Sequence, residues 1–117
     1  SRKKEMNVGI DLVKISRFEK IPYNKNKSFY EKNFSNNEIK YCLKFNEPYK
    51  HFAGKFAIKE ATMKSIEEKI KLSDVVTYYE NEKPNVRIST EGFNFKVSMS
   101  HDGDYAIAIV ISNKEKL

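Results

Sequence analysis

Apolar and polar residues alternate at the start of the chain. Val8, Ile10 and Leu12 are interleaved with Gly9 and Asp11 over 7–13, the period of a half-buried strand. That alternation predicts that Asp11 points away from the face that Ile10 and Leu12 bury. A short helix is expected around 15–20, stopped near Pro22 and followed by a polar stretch at 24–27. Ser35-Asn36-Asn37-Glu38 has the form of a capping box and predicts a helix running through Tyr41, Cys42 and Leu43. Pro48 suits the first turn of a longer helix reaching about Ile70. In it Phe52, Phe56, Ala57, Ala61, Met63, Ile66 and Ile70 recur near a 3.6 period. The pattern then changes to strands over 75–79 and 86–89, joined by a turn containing Pro84 and Asn85. Residues 96–100 alternate again, Asp102-Gly103 gives a hairpin signal, and 105–111 is nearly all apolar, as expected of a strand buried on both faces. Strand, helices, then strands predict one α+β domain over 7–112, with an antiparallel sheet packed against a long central helix.

Composition narrows the partners. The 117 residues suit one domain with a single core. Aromatics at 13% argue against disorder despite 32% charged residues. A net charge of +6 points to an acidic partner, whether nucleic acid, anionic lipid, phosphate-rich cofactor or acidic protein. Lysines and glutamates are interspersed, unlike the uniform block of a basic nucleic-acid tail. A single cysteine, Cys42, excludes an internal disulfide. The apolar run 106–111 is far shorter than the ~20 residues that span a bilayer. The opening residues do not lead into a secretory segment, so a cytoplasmic setting is expected, or an organellar lumen after processing of the N-terminus.

The candidate chemistry rests on a few polar residues in apolar surroundings. Asp11 is either a solvent-facing strand residue or a carboxylate held for pairing or metal binding. Glu60, among Phe56, Ala57, Ile58 and Ala61, is either a surface partner of Lys64 at i+4 or a second such carboxylate. Together the two would supply hard oxygens to Mg²⁺, which takes one or two carboxylates and fills its shell with water and phosphate oxygens. Phe56, Glu60 and Lys64 share one helical stripe, whereas Lys59 projects about 100° away, toward another oxygen or a salt bridge. Lys55 suits a solvated face equally well. His101 lies at a strand end beside a tight turn, where it is either a turn histidine bonded to Asp102 or a binding residue. His51 reads as structural. Two histidines and one cysteine give no zinc spacing, and neither a nucleophilic triad nor a glycine-rich phosphate loop is present.

Three motifs, in order, carry a resemblance to a family. They are Gly9-Ile10-Asp11-Leu12-Val13 with Arg17 six residues after Asp11; the run from Phe52 to Lys64 containing Lys59-Glu60-Ala61; and Met99-Ser100-His101-Asp102-Gly103-Asp104-Tyr105-Ala106-Ile107-Ala108. Phe34 to Cys42, ending Glu-x-x-Tyr-Cys, is a weaker fourth. Over about 7–111 the chain resembles holo-acyl-carrier-protein synthases, the short-chain 4'-phosphopantetheinyl transferases. The resemblance implies that fold, with coenzyme A as co-substrate, Mg²⁺, an acidic acyl carrier protein as acceptor, 3',5'-ADP as product, and a role in fatty acid biosynthesis. It further implies Asp11 and Glu60 as metal ligands, and Glu60, directly or through water, as acceptor of the serine proton. Lys64 would act on phosphate, and His101 near the nucleotide end of coenzyme A, with Lys55 and Lys59 as further coenzyme contacts.

Lys14, Arg17 and Lys20, within about 120° around the first helix, would form the carrier-docking face. A homotrimer with sites shared between chains is also implied. Two departures stand out. Glu67-Glu68-Lys69-Ile70 replaces a Gly-Thr-Gly-like turn after the central helix, and Asp102 replaces the common Thr after the Ser-His pair. The competing readings are a small basic RNA-binding module using its seven Tyr and eight Phe for stacking, and a non-catalytic partner-binding domain.

Overall fold

The computed structural model, which describes residues 3–116, sets one long helix between a sheet and a layer of short helices. Strand β1 (Lys3–Lys14) leads into helix α1 (Ser16–Glu19), followed by α2 (Lys27–Asn33), α3 (Asn36–Leu43) and the long α4 (Pro48–Ser65). Strands β2 (Val75–Glu80), β3 (Lys83–Ile88), β4 (Phe93–Asp102) and β5 (Tyr105–Lys116) complete the chain. β1, β5 and β4 form an antiparallel sheet with β5 in the middle, while β2 and β3 make a separate hairpin. The expected α+β architecture around a central helix is present.

α4 is enclosed because both of its sides are covered. Every residue from Phe52 to Lys59 is buried. One side packs on β1 and β5, and the other meets α1, α3 and β2. Phe52 stands 4.7 Å from the Tyr30 ring and 5.1 Å from Phe34, and Phe56 stands 5.4 Å from Phe18, ring centre to ring centre. This aromatic cluster includes α2, which the polar stretch at 24–27 concealed. The Tyr30 hydroxyl, inside the cluster, donates to the Ile21 carbonyl at 2.8 Å. The capping box of α3 is formed: Glu38 N–H donates to Ser35 Oγ, and Ser35 N–H to Glu38 Oε1.

Several local expectations are corrected. α4 stops at Ser65 rather than near Ile70, and the Ser65 carbonyl left at its end accepts from the Ser112 hydroxyl of β5 at 2.7 Å. Pro84 and Asn85 lie in β3. The β2–β3 turn is Asn81-Glu82, both at positive φ (51° and 65°), the two-residue geometry that matches strand twist. β5 extends to Lys116 and is buried on one face only: Ala106, Ala108 and Val110 turn to α4, while Tyr105, Ile107 and Ile109 are exposed. The alternation in β1 is real, but its faces are reversed. Val8, Ile10 and Leu12 are 54–60% exposed, whereas Gly9 and Val13 are buried and Asp11 is partly so. One broad apolar sheet face therefore stands uncovered in the single chain.

Candidate active site

Asp11 and Glu60 come from different elements and meet beside α4. Asp11 shares with Gly9 and Val13 the β1 face turned to the helix, and its side chain is only 16% exposed. Lys64 Nζ donates to Asp11 Oδ1 at 3.2 Å and to the Ile10 carbonyl at 3.0 Å, clipping the end of α4 to β1. Glu60 lies one turn before Lys64. Partial burial, reinforced by the Asp11 carboxylate, raises the proton affinity of Glu60; Lys64 and Arg17 oppose that rise. Arg17 reaches back from α1, its guanidinium 5.1 Å from the centre of the Phe56 ring. Two carboxylates thus converge within a rim of two cations, and the stripe Phe56, Glu60, Lys64 read from the sequence is present. Among the described residues, no group of three or more His, Cys, Asp or Glu side chains gathers to cage an ion. The donor set is a carboxylate pair.

The other helix lysines behave differently. Lys59, expected to contact the coenzyme, is fully buried. Its ammonium pairs with Glu38 Oε1 at 2.8 Å and donates to the carbonyls of Val75 at 2.6 Å and Leu72 at 3.3 Å. Glu38 Oε2 in turn accepts from Thr77 N–H at 2.8 Å and Thr77 Oγ1 at 2.5 Å. Burial alone would raise the Glu38 carboxyl; the Lys59 ammonium and these hydrogen bonds outweigh it and hold the group below its ordinary value. Lys55, also expected at the coenzyme, is buried one turn earlier. It donates to Thr77 Oγ1 at 3.0 Å, between the rings of Tyr41 and Tyr79 at 4.7 and 5.3 Å. A charged lysine is buried only where partners of this kind await it, and Glu38, which supplies one, was legible only as a helix cap.

His101 lies elsewhere. Its Nε2 is 3.0 Å from the Lys50 carbonyl oxygen in the first turn of α4. Ten residues separate Lys50 from Glu60, ~15 Å along the axis. Beside His101 opens a cleft of about 600 Å³, lined by Lys14, Ser16, Glu19, Tyr49, Lys50 and Asp104 among others. This cleft brings together the ends of β1, α4 and the β4–β5 turn, a proximity that no local pattern announces.

The docking face expected on the first helix is divided. α1 is a single turn, and Lys14 is the last residue of β1, so the helical spacing of Lys14, Arg17 and Lys20 does not hold. All three are exposed, but Lys14 borders the cleft while Arg17 leans on Phe56. His51 is stacked on Phe45 at 3.7 Å, with burial lowering its proton affinity, as suits a structural residue.

A family model described as the 4'-phosphopantetheinyl transferase superfamily matches residues 7–110. The chain is 36% identical over 120 residues to a holo-[acyl-carrier-protein] synthase of Ehrlichia ruminantium, covering 94% of this chain and 98% of that one. Among solved structures it is similar to Helicobacter pylori holo-[acyl-carrier-protein] synthase in complex with coenzyme A, at 31% identity and TM-score 0.76, over 90% of this chain and 98% of that one. It is likewise similar to a Bacillus anthracis holo-(acyl-carrier-protein) synthase in complex with CoA (3',5'-ADP), at 26% identity and TM-score 0.79, over 94% and 99% of the two chains.

Proposed function

From the premise that this chain belongs to the 4'-phosphopantetheinyl transferase superfamily, we propose a division of labour for its residues. The chain transfers the 4'-phosphopantetheine group of coenzyme A to a serine of apo-acyl carrier protein, releasing 3',5'-ADP. The observation that carries the residue assignment is the convergence of Asp11 and Glu60 from β1 and α4, with Lys64 between strand and helix.

The donor set fits Mg²⁺: two hard carboxylates on one side, the remainder open to water and phosphate oxygens. The cation already drawn to Asp11 supports the fit, since Lys64 supplies positive charge at 3.2 Å. Asp11 and Glu60 would hold the ion, and when bound it supplies charge neutralisation at the pyrophosphate. Lys64, 54% exposed, swings from Asp11 to a phosphate oxygen as the coenzyme arrives. Glu60 takes the proton of the carrier serine as its oxygen attacks phosphorus in line. Arg17, held over Phe56 next to Glu60, presents a cation where an acidic carrier would bring its serine, with Lys14 and Lys20 exposed alongside. His101 and its cleft take the nucleotide end of a coenzyme A molecule.

A homotrimer with shared sites belongs to the same reading, and the same placement supports it. Within one chain, His101 on β4 meets the first turn of α4 whereas Glu60 lies toward its far end, and the uncovered apolar sheet face supplies a surface for a second copy. Closed rotational symmetry lets each interface join two different patches. The reaction needs coenzyme A and a carrier protein, as a cytoplasmic setting would supply, and among the described residues no helix is long and apolar enough to cross a membrane. The RNA-binding reading finds no support among the similar proteins. Incorporation of pantetheine from labelled coenzyme A into a carrier protein tests the activity. Asp11→Ala and Glu60→Ala chains that fold and still turn over like the wild type would overturn the residue assignment.

A further inference from the structure

Gly9 occupies the closest approach of β1 to α4. A Cβ built there would stand 1.9 Å from the Ala61 carbonyl oxygen and 2.9 Å from the Ser65 amide nitrogen, both helix backbone. No side-chain rotation relieves such a contact, because neither atom belongs to a side chain. Ala61 directly follows Glu60, and Gly9 is two residues before Asp11 on the same strand face. The close backbone contact is therefore one residue from Glu60 and two from Asp11 along their own elements.

We propose that Gly9 is a positioning residue: the absence of its side chain sets the separation between the Asp11 and Glu60 carboxylates and so makes them one divalent-cation site. The inference rests on the metal reading above and adds to it the element that fixes the spacing. Two further features decide which partner would yield if a side chain were added. α4 is anchored on its far side, since Lys59 is tied by Glu38, Val75 and Leu72 to α3 and β2. β1, by contrast, is an edge strand, hydrogen-bonded to β5 along one side only. Crowding at Gly9 would thus lift β1 away from a helix that cannot retreat. Asp11 would move from Glu60, and the Lys64 clip to Asp11 and the Ile10 carbonyl would lengthen. Gly9 has no strained φ, so its requirement here is for space rather than for backbone freedom.

The test is Mn²⁺ binding, followed by electron paramagnetic resonance on the full chain with coenzyme A bound, in wild type, Gly9→Ala, Asp11→Glu and the double variant. Gly9→Ala is expected to fold and to bind Mn²⁺ about tenfold or more weakly, while affinity for coenzyme A measured without metal changes little. Asp11→Glu alone should also weaken Mn²⁺, because a longer arm overshoots the native gap. In the Gly9→Ala background the same substitution should recover part of the lost affinity, a rescue that general destabilisation would not produce. Mn²⁺ binding by Gly9→Ala at wild-type strength would overturn the role of Gly9 and leave the metal assignment standing. Failure of the wild type to bind Mn²⁺ would overturn both. Should Gly9→Ala not fold, Asp11→Glu decides: unchanged Mn²⁺ affinity in that variant would show that the gap is not fixed, and would overturn the inference.

Discussion

A carboxylate is informative where its surroundings give it no reason to be present. Asp11 in an apolar strand and Glu60 in a core-like helix stood out on that ground, and the fold brings both to the same edge of α4. Asp11→Ala and Glu60→Ala are each expected to lower kcat by about 10²-fold or more with melting behaviour preserved, checked by label transfer to the carrier alongside circular dichroism. Lysines were less legible. Lys64 is exposed and Lys59 is not; the sequence set them on different stripes and left Lys59 either another oxygen or a salt bridge, because the partner that buries it is Glu38, in another helix. Lys64→Met should therefore cost turnover with little change in stability. Lys59→Met should do the reverse, destabilising the fold by leaving the Glu38 carboxylate buried without its cation.

Among the elements, α4 was the easiest to foresee and its ends the hardest. Its apolar recurrence and Pro48 fixed its start, but the stop at Ser65 depends on Ser112, 47 residues away, accepting the role of a cap. α2 was missed because its two aromatic residues, Phe29 and Tyr30, are adjacent among Lys27, Ser28, Glu31 and Lys32 and give no helical period within seven residues. The joint between α3, α4 and β2 is the Glu38–Lys59–Thr77 cluster, and it makes two predictions. Glu38→Ala should destabilise the fold by about 3–5 kcal/mol in denaturant titration at neutral pH. The sign of its pH dependence follows from the lowered Glu38 value. A carboxyl bound to its proton less tightly in the folded than in the unfolded chain adds stability that is complete above the ordinary value of 4.5 and is lost as pH falls through the lowered one. Chemical denaturation from pH 6 downward should show that acid loss in the wild type, and a shallower one in Glu38→Gln.

For the molecule as a whole, the sequence pattern identified which residues alternate but not which face is covered. Val8, Ile10 and Leu12 looked like core because alternation alone does not say which face the helix covers, and Ile107 and Ile109 continue the same uncovered surface. A trimer should scatter light as about three times 13.7 kDa, and Ile10→Lys should reduce it to single chains that turn over poorly. If sites are shared, mixing inactive Glu60→Ala chains with inactive His101→Ala chains should recover part of the activity, since some sites then join an intact Glu60 to an intact His101. The most direct test of the account is the transfer reaction itself, read as the mass of an acyl carrier protein incubated with coenzyme A and this chain. Addition of one phosphopantetheine group is expected with Mg²⁺, none with chelator, and almost none with Glu60→Ala. Full conversion in chelator, or by Glu60→Ala at the wild-type rate, would contradict it.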